Sequence, residues 1–432
     1  MNSMIGLFCV NCGKEVQESE FRLKCPSCKG LLKVQYDLNQ MKESLSSRPP
    51  KTISGSILKQ WIDILPINDP NLIEKVSIGE QETPLVRSSY IGKQVGIEDL
   101  RFKLEFLAPT MSLKDRGTSL CALKALELGF DTLCIPSSGN NAGSTSAYAA
   151  KSGLRAVVFI QKDVSPSKII KIMAYGAQIV RINGDLSTAS KVCEKMLENH
   201  RWFNCSGLNP YRYTAKRTLA YEIVHQSEGD VPDAVIFPVG GGSGIASAHG
   251  GFLEMLKMGI ISSMPRLIGV QLEACDPVTQ AFEEGLDELP PVTKKSSISD
   301  ALMHRRPFQG IQALKAARET DGLFVSVSDE EFIRTIRLLA SKEGLFLEPA
   351  GAISVAALIK LRAQGRLEDL KTVVCTLTGH GLNLPHAAVD PKSIPDLVQP
   401  EVSAVEAYLN SYRNITRENN KIGENSVLKV CI

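Results

Sequence analysis

From about residue 85 onward, short apolar runs rich in β-branched residues alternate with longer stretches of helical spacing, and this alternation restricts the chain to α/β architectures with parallel sheets. Strands are expected at Thr132 to Ile135, Ala156 to Ile160, Gln178 to Ile182, Ala234 to Val239, Arg266 to Leu272 and Lys371 to Thr376. Helices are expected between them at Thr118 to Gly129, Asn141 to Gly153, Ser167 to Tyr175, Ser187 to Asn199, Thr218 to Gln226, Ile245 to Met258 and Glu330 to Glu343. A chain of 432 residues that is 43% hydrophobic has material for two main domains with small attachments.

Charge narrows the partners. With 49 basic and 47 acidic residues the formal charge is +2, which gives no electrostatic reason to expect nucleic acid or membrane as a partner. No apolar run approaches the roughly 18 residues of a membrane span, and the N-terminus has no basic stretch followed by a long apolar one, so the cytoplasm is the expected compartment. Of the 11 cysteines, Cys9, Cys12, Cys25 and Cys28 form two CxxC pairs separated by twelve residues; the other seven are scattered. Two tight turns at this spacing present four thiolates to one tetrahedral ion, for which zinc is the expected choice, in a closed and therefore structural site. A degenerate knuckle without metal, a redox pair or a nucleic-acid-binding ribbon are the alternatives.

Three segments carry chemistry. Ser112-Leu-Lys114-Asp-Arg-Gly117 precedes an amphipathic helix and places Lys114 beside a hydroxyl and the helix's positive end, where an amine loses its proton more easily. Taken alone, a solvated surface lysine is the commoner meaning. Pro136-Ser-Ser-Gly-Asn-Asn141 follows a strand and opens a helix, which makes a nest of N–H groups and hydroxyls for an anion. Pro238-Val-Gly-Gly-Gly-Ser-Gly244 does the same, with glycines that let the backbone wrap a phosphate, and it lacks the Gly-Lys-Ser/Thr ending of a P-loop.

In this order the three segments resemble pyridoxal-phosphate (PLP) enzymes of the tryptophan-synthase β fold, fold type II, and within it the threonine synthases. The resemblance runs from Glu82-Thr-Pro-Leu85 through Lys103-Leu-Glu105, Asn209-Pro-Tyr-Arg212, Val327-Ser-Asp-Glu-Glu331 and Glu343 to Ala350, ending at Leu377-Thr-Gly-His-Gly381. It implies two doubly wound parallel-sheet domains with the cofactor between them, plus an N-terminal zinc ribbon-like knuckle. The division expected is a knuckle at 1–38, a linker at 39–80, a catalytic body at 81–396 with a small domain at roughly 118–225, and a tail at 397–432. The resemblance gives Lys114 the cofactor and the proton transfers at Cα, and gives Asn140 a hydrogen bond to the cofactor's phenolic oxygen. Gly240, Gly241, Gly242, Ser243 and Gly244 would hold the cofactor phosphate, and Thr378 would meet the pyridine nitrogen. Ser137, Ser138 and Asn141 fall to the substrate carboxylate, Arg212 to the substrate phosphate, and Lys103 to a place beside the site. A homodimer is expected on the same ground.

The sequence departs from the family pattern close to these residues. Ala108-Pro-Thr-Met111 stands where Asn-Pro-Thr-Gly is usual, Asn141 replaces a threonine, Gly240-Gly-Gly-Ser-Gly244 replaces Gly-Asn-x-Gly-Asn, and Thr214-Ala-Lys-Arg217 replaces Glu-Gly-Gln-Lys. Three functions are therefore carried forward. They are a lyase that converts O-phosphohomoserine to threonine and phosphate, a related enzyme of β-elimination or β/γ-replacement on another hydroxy- or phospho-amino acid, and a zinc-knuckle binding protein with a remnant body.

Overall fold

The computed structural model describes residues 3–18, 21–47, 55–164, 166–292, 296–387, 395 and 397–410, so the expected tail lies outside the described residues beyond 410. Its strands are β1 (Met4–Cys9), β2 (Glu15–Val16), β3 (Leu32–Tyr36), β4 (Leu85–Arg87), β5 (Asp99–Lys103), β6 (Thr132–Pro136), β7 (Arg155–Gln161), β8 (Gln178–Ile182), β9 (Phe203–Asn204), β10 (Ala234–Pro238), β11 (Arg266–Leu272), β12 (Leu323–Val327) and β13 (Thr372–Thr376). The large sheet has the order β12-β11-β10-β13-β5-β4 and the smaller one β8-β7-β6-β9. Every pairing in these two sheets is parallel except β4 with β5. The first three strands make a separate antiparallel sheet, β2-β1-β3, around the cysteines.

All six expected strands are present, and all seven expected helices form with ends moved by a few residues. Two elements that the pattern does not reveal are instructive. In β5, Asp-Leu-Arg-Phe-Lys, only Leu100 and Phe102 are apolar; Asp99 pairs with Arg101 and Lys103 points into a buried ion network, so the alternation rests on two apolar residues among three charges. Helix Pro349–Ala363 escapes the pattern for the opposite reason: it is buried on nearly every side, so its sequence shows no polar face to betray the 3.6 period. Residues 39–80, expected as a linker, contribute Ile57, Leu58, Trp61, Ile64, Ile73 and Val76 to the same core as the knuckle and the body.

Chain reversal in each sheet places the site. β10 lies between β11 and β13, and β6 lies between β7 and β9, so each sheet has a point where the following connections diverge to opposite sides. In open α/β sheets such a point, at the carboxyl ends of the strands, leaves a crevice. The glycine-rich loop leaves β10, Thr378 follows β13 and the Ser137–Asn141 nest follows β6.

Beneath the crevice lies a closed ion network. Arg116 binds Glu105 at 2.6 Å and Glu222 at 2.5 Å, and Lys103 binds Glu222 at 2.6 Å, with all four side chains at most 3% exposed. Thr83, Thr218 and Gln226 take up further hydrogen bonds. Burial alone would raise the Glu222 carboxyl, but Arg116 and Lys103 outweigh it and hold the group below its ordinary 4.5. Its contribution to stability is therefore present above that ordinary value and lost as pH falls through the lower folded one. Replacing Glu222 by Gln leaves two buried cations short of a partner and is expected to cost about 3–5 kcal/mol in denaturant unfolding; a loss under about 1 kcal/mol would show the network to be slack.

Candidate active site

Lys114 is the first residue of helix Lys114–Glu127, and the turn before it is held tightly. Asp115 accepts from Thr110 N at 2.7 Å and from Ser144 Oγ at 2.7 Å, which ties the lysine turn to the helix of the second sheet, Asn140–Ser152. Met111 sits at φ 64°, the left-handed region where a side chain costs about 1–2 kcal/mol. That conformation explains the glycine usual here, and the chain adopts it with methionine because its backbone is pinned by His380 N and Asn383 Nδ2 on the Met111 carbonyl. Gly117 has a different reason. A Cβ there would stand 2.5 Å from Arg212 Cγ, so the glycine lets helix Pro210–Lys216 lie against the lysine helix.

That approach brings cations together. Burial, then the positive charge of Arg212, lowers Lys114 from its ordinary 10.5 to about 8, with Glu348 acting in the opposite sense. Glu348 is 7% exposed and accepts from Asn140 Nδ2 at 2.7 Å; burial raises it to about 7, against the pull of Lys114. Burial and the Lys114 charge also hold His304 down at about 4. Lys171, on helix Pro166–Ala174, donates to Thr110 O at 2.9 Å and Asn383 Oδ1 at 3.0 Å and so bridges the two sheets' loops. Sequence reasoning does not single out Glu348, Lys171 or Lys216. Glu348 lies inside the Glu343 to Ala350 segment, so its motif is visible although its role is not.

The structure gathers most of the expected residues around one crevice and redirects some. Arg212, expected at the substrate phosphate, spends its N–H groups on Thr118 Oγ1 (2.9 Å), Cys205 O (3.3 Å) and Asn141 Oδ1. It therefore holds the Asn141 amide by its oxygen, and the amide's NH2 has no hydrogen-bond partner among the described residues. Lys103 is corrected outright: its ammonium donates to Thr83 O, Glu222 and Gln226, all at 2.6–2.8 Å, and it has no hydrogen left for a substrate. Ser138 is tied to Gln161 at 3.3 Å, while the Ser137 hydroxyl accepts from Gly139 N at 3.4 Å. Thr378 Oγ1 donates to Ala350 O at 2.9 Å. His380 caps its own loop, with Nδ1 accepting from Leu382 N at 3.1 Å, between the rings of Phe106 and Phe346.

The glycine-rich loop needs its glycines for two reasons. Gly240, Gly241 and Gly242 are pressed by the 301–310 segment: a Cβ on Gly240 would lie 2.9 Å from His304 Cδ2, and Cβ atoms on the next two would collide with Phe308 and Gln309. These three are pressed against a neighbouring chain segment, which leaves no room for a side chain on any of them. Gly244 instead borders a narrow recess lined by Leu113, Lys216, Leu219, Phe237, Pro238, Thr376 and Thr378. Helix Ser243–Lys257 starts there without a side-chain cap, so its first N–H groups are available to an anion. Lys216 and the neutral Thr378 hydroxyl line this recess beside the uncapped 15-residue helix, and Lys114, of lowered pKa, follows Leu113 on its wall; these are groups of the kinds that an aldehyde-bearing, phosphorylated pyridine requires.

A family model described as pyridoxal-phosphate dependent enzyme matches residues 76–379. The chain belongs to this family. Within it, the chain is 32% identical to a threonine synthase of Methanocaldococcus jannaschii over 402 residues, covering 93% of this chain and 98% of the relative. It is 33% identical to a threonine synthase of Methanosarcina acetivorans over 403 residues, with the same shares covered. Among solved structures, maize serine racemase superposes with a TM-score of 0.59 at 20% identity, over 72% of this chain and 94% of that one. A serine racemase from Dictyostelium discoideum superposes with a TM-score of 0.58 at 21% identity, over 79% and 97%. The fold type II architecture and the use of PLP, both expected from the motifs, are thereby borne out.

Because only the neutral amine attacks an aldehyde, the rate at which cofactor-stripped enzyme is reloaded with PLP should climb with pH and level off above about 8. Stopped-flow absorbance gives that profile; a midpoint near the ordinary 10.5 would contradict the lowered lysine.

The knuckle bears on this site through the same Arg212 helix. The four cysteine sulfurs lie within 4.8 Å of one another. Cys9–Cys28 is 3.3 Å, Cys12–Cys28 3.5 Å and Cys12–Cys25 3.7 Å, near the roughly 3.8 Å edge of a tetrahedral zinc–thiolate site. Lys33 lies 4.8 Å over the Tyr213 ring, Arg217 4.5 Å over the Tyr36 ring, and the Tyr211 hydroxyl donates to Glu18 at 2.6 Å.

Proposed function

We propose that this chain is a PLP-dependent carbon–oxygen lyase of threonine-synthase type, converting O-phosphohomoserine and water to threonine and phosphate. The reading is carried by the partly buried Lys114, lowered to about 8 between an uncapped helix and the Asn140–Asn141 nest, in a chain aligned over 93% of its length with threonine synthases.

PLP supplies an electron sink that makes the hydrogens at the substrate's Cα and Cβ acidic. Lys114 would hold it and would move protons at Cα; an amine of pKa about 8 is poised to do so near neutral pH. Glu348, at about 7 and within reach of the Lys114 charge, is a second group that holds a proton there. The free NH2 of Asn141 and the Ser137 hydroxyl bind the substrate carboxylate, with Arg212 as the residue that fixes Asn141. Asn140 has one N–H committed to Glu348 and its other for the cofactor's phenolic oxygen. Gly244 and Ser243 offer first-turn N–H groups to the cofactor phosphate. Thr378, whose proton goes to Ala350 O in the structure, would turn it to the pyridine nitrogen. A neutral partner there keeps that nitrogen less protonated than a carboxylate would, which suits elimination and replacement.

Purified protein is expected to be yellow and, given O-phosphohomoserine, to release threonine and phosphate in equal amounts. Lys114→Ala should lose both the colour and turnover while keeping the fold by circular dichroism. A keto acid with ammonia in place of threonine would assign the chain to the elimination branch of the family. For the knuckle, the reading is a structural zinc. Purified protein should hold one zinc per chain, and changing Cys9 and Cys12 to Ser should remove it and lower the melting temperature. Metal content unchanged by those substitutions would remove the assignment.

A further inference from the structure

Lys216 is the least accounted-for charge in the molecule. It is 4% exposed, on the last turn of the Arg212 helix, and its ammonium donates to Ser243 Oγ at 2.6 Å, the first residue of the helix that follows the glycine loop. It also lines the recess that Gly244 and Thr378 border. A neutral hydroxyl is the only hydrogen-bond partner found for it among the described residues. Burial, followed by the like charges of Lys114 and Arg212, disfavours its protonated form. Buried ammonium groups are normally paired, and the other pole of this site, Glu348, is already engaged with Asn140.

The partner missing from this arrangement is an anion at the start of helix Ser243–Lys257. The glycine loop brings only neutral N–H groups to that point, and the recess ends there. We propose that Lys216 is a cofactor-phosphate residue, whose ammonium, steadied by Ser243, supplies the full positive charge that the loop itself lacks. The inference rests on membership of the PLP family and not on which amino acid is turned over, so it stands or falls separately from the threonine-synthase reading. The family pattern has glutamine at this place in the Glu-Gly-Gln-Lys stretch. The ammonium is therefore a feature of this chain, which has exchanged the amides of the usual cofactor loop for Gly240-Gly-Gly-Ser-Gly244.

The test compares PLP with pyridoxal, which has the same ring and aldehyde and no phosphate. Holoenzyme is stripped of cofactor and titrated back with each compound, following visible absorbance, for wild type, Lys216→Gln and Lys216→Arg. Lys216→Gln is expected to weaken PLP by about tenfold or more, as loss of a charge-assisted bond does, and to leave pyridoxal unchanged; Lys216→Arg should stay near wild type. An unaltered PLP-to-pyridoxal ratio in folded Lys216→Gln overturns the proposal, and so does a raised KM for the amino-acid substrate with PLP affinity intact. Should the glutamine variant fail to fold, Lys216→Met, which keeps the unbranched stem and removes the charge, is titrated with the same two compounds, and an unaltered PLP-to-pyridoxal ratio in it likewise overturns the proposal.

Discussion

Everything above the large sheet stands on the Glu105–Arg116–Glu222–Lys103 network. Two carboxylates and two cations, all buried, balance one another and join strand β5 to helices Lys114–Glu127 and Thr218–Gln226. Such a cluster contributes little net stability compared with apolar packing, but its geometry tolerates no substitution of one member, and that fixes the helix on which Lys114 is carried. Arg116 is two residues from Lys114, so the reactive amine inherits its position from a floor of ion pairs.

The contrast one layer up is the basis of the chemistry. Lys114, Arg212 and Lys216 influence one another electrostatically, and Glu348 is the carboxylate that faces Lys114. A dry pocket with surplus positive charge lowers the pKa of its lysines and attracts a doubly charged anion. Balance below and imbalance above meet on one helix, Lys114–Glu127, which carries Lys114 at the crevice and Arg116 in the floor. The knuckle belongs to this arrangement, since its Tyr36, Lys33 and Glu18 grip Arg217, Tyr213 and Tyr211 on the segment that carries Arg212 and Lys216.

Departures from the family pattern acquire physical meaning in the same way. Met111 occupies a left-handed backbone position otherwise suited to glycine. Three glycines of the cofactor loop are small because the 301–310 segment lies against them. Asn141 gives its oxygen to Arg212, so its amide is held by a residue 71 positions away. Each is a local exchange whose partner lies far away in sequence.

By itself the sequence determined the α/β class with parallel sheets and the cysteine cluster, because each is written in a short-range code of period or ligand spacing; the division into two sheets and the part of Lys114 between its two anion nests came from the resemblance to a family. Charged β5 and helix Pro349–Ala363, buried on nearly every side, escaped that code, since their burial depends on neighbours rather than on their own pattern. Only the tertiary structure decided which cations do what. Lys103 is absorbed by Glu222, Arg212 is turned to Asn141, and Lys216 is left facing the glycine-loop helix. The reason is that a side chain's chemistry in a dry interior is set by the charges folded against it, and residues 103, 212, 216, 222 and 348 meet only when two sheets close on one crevice.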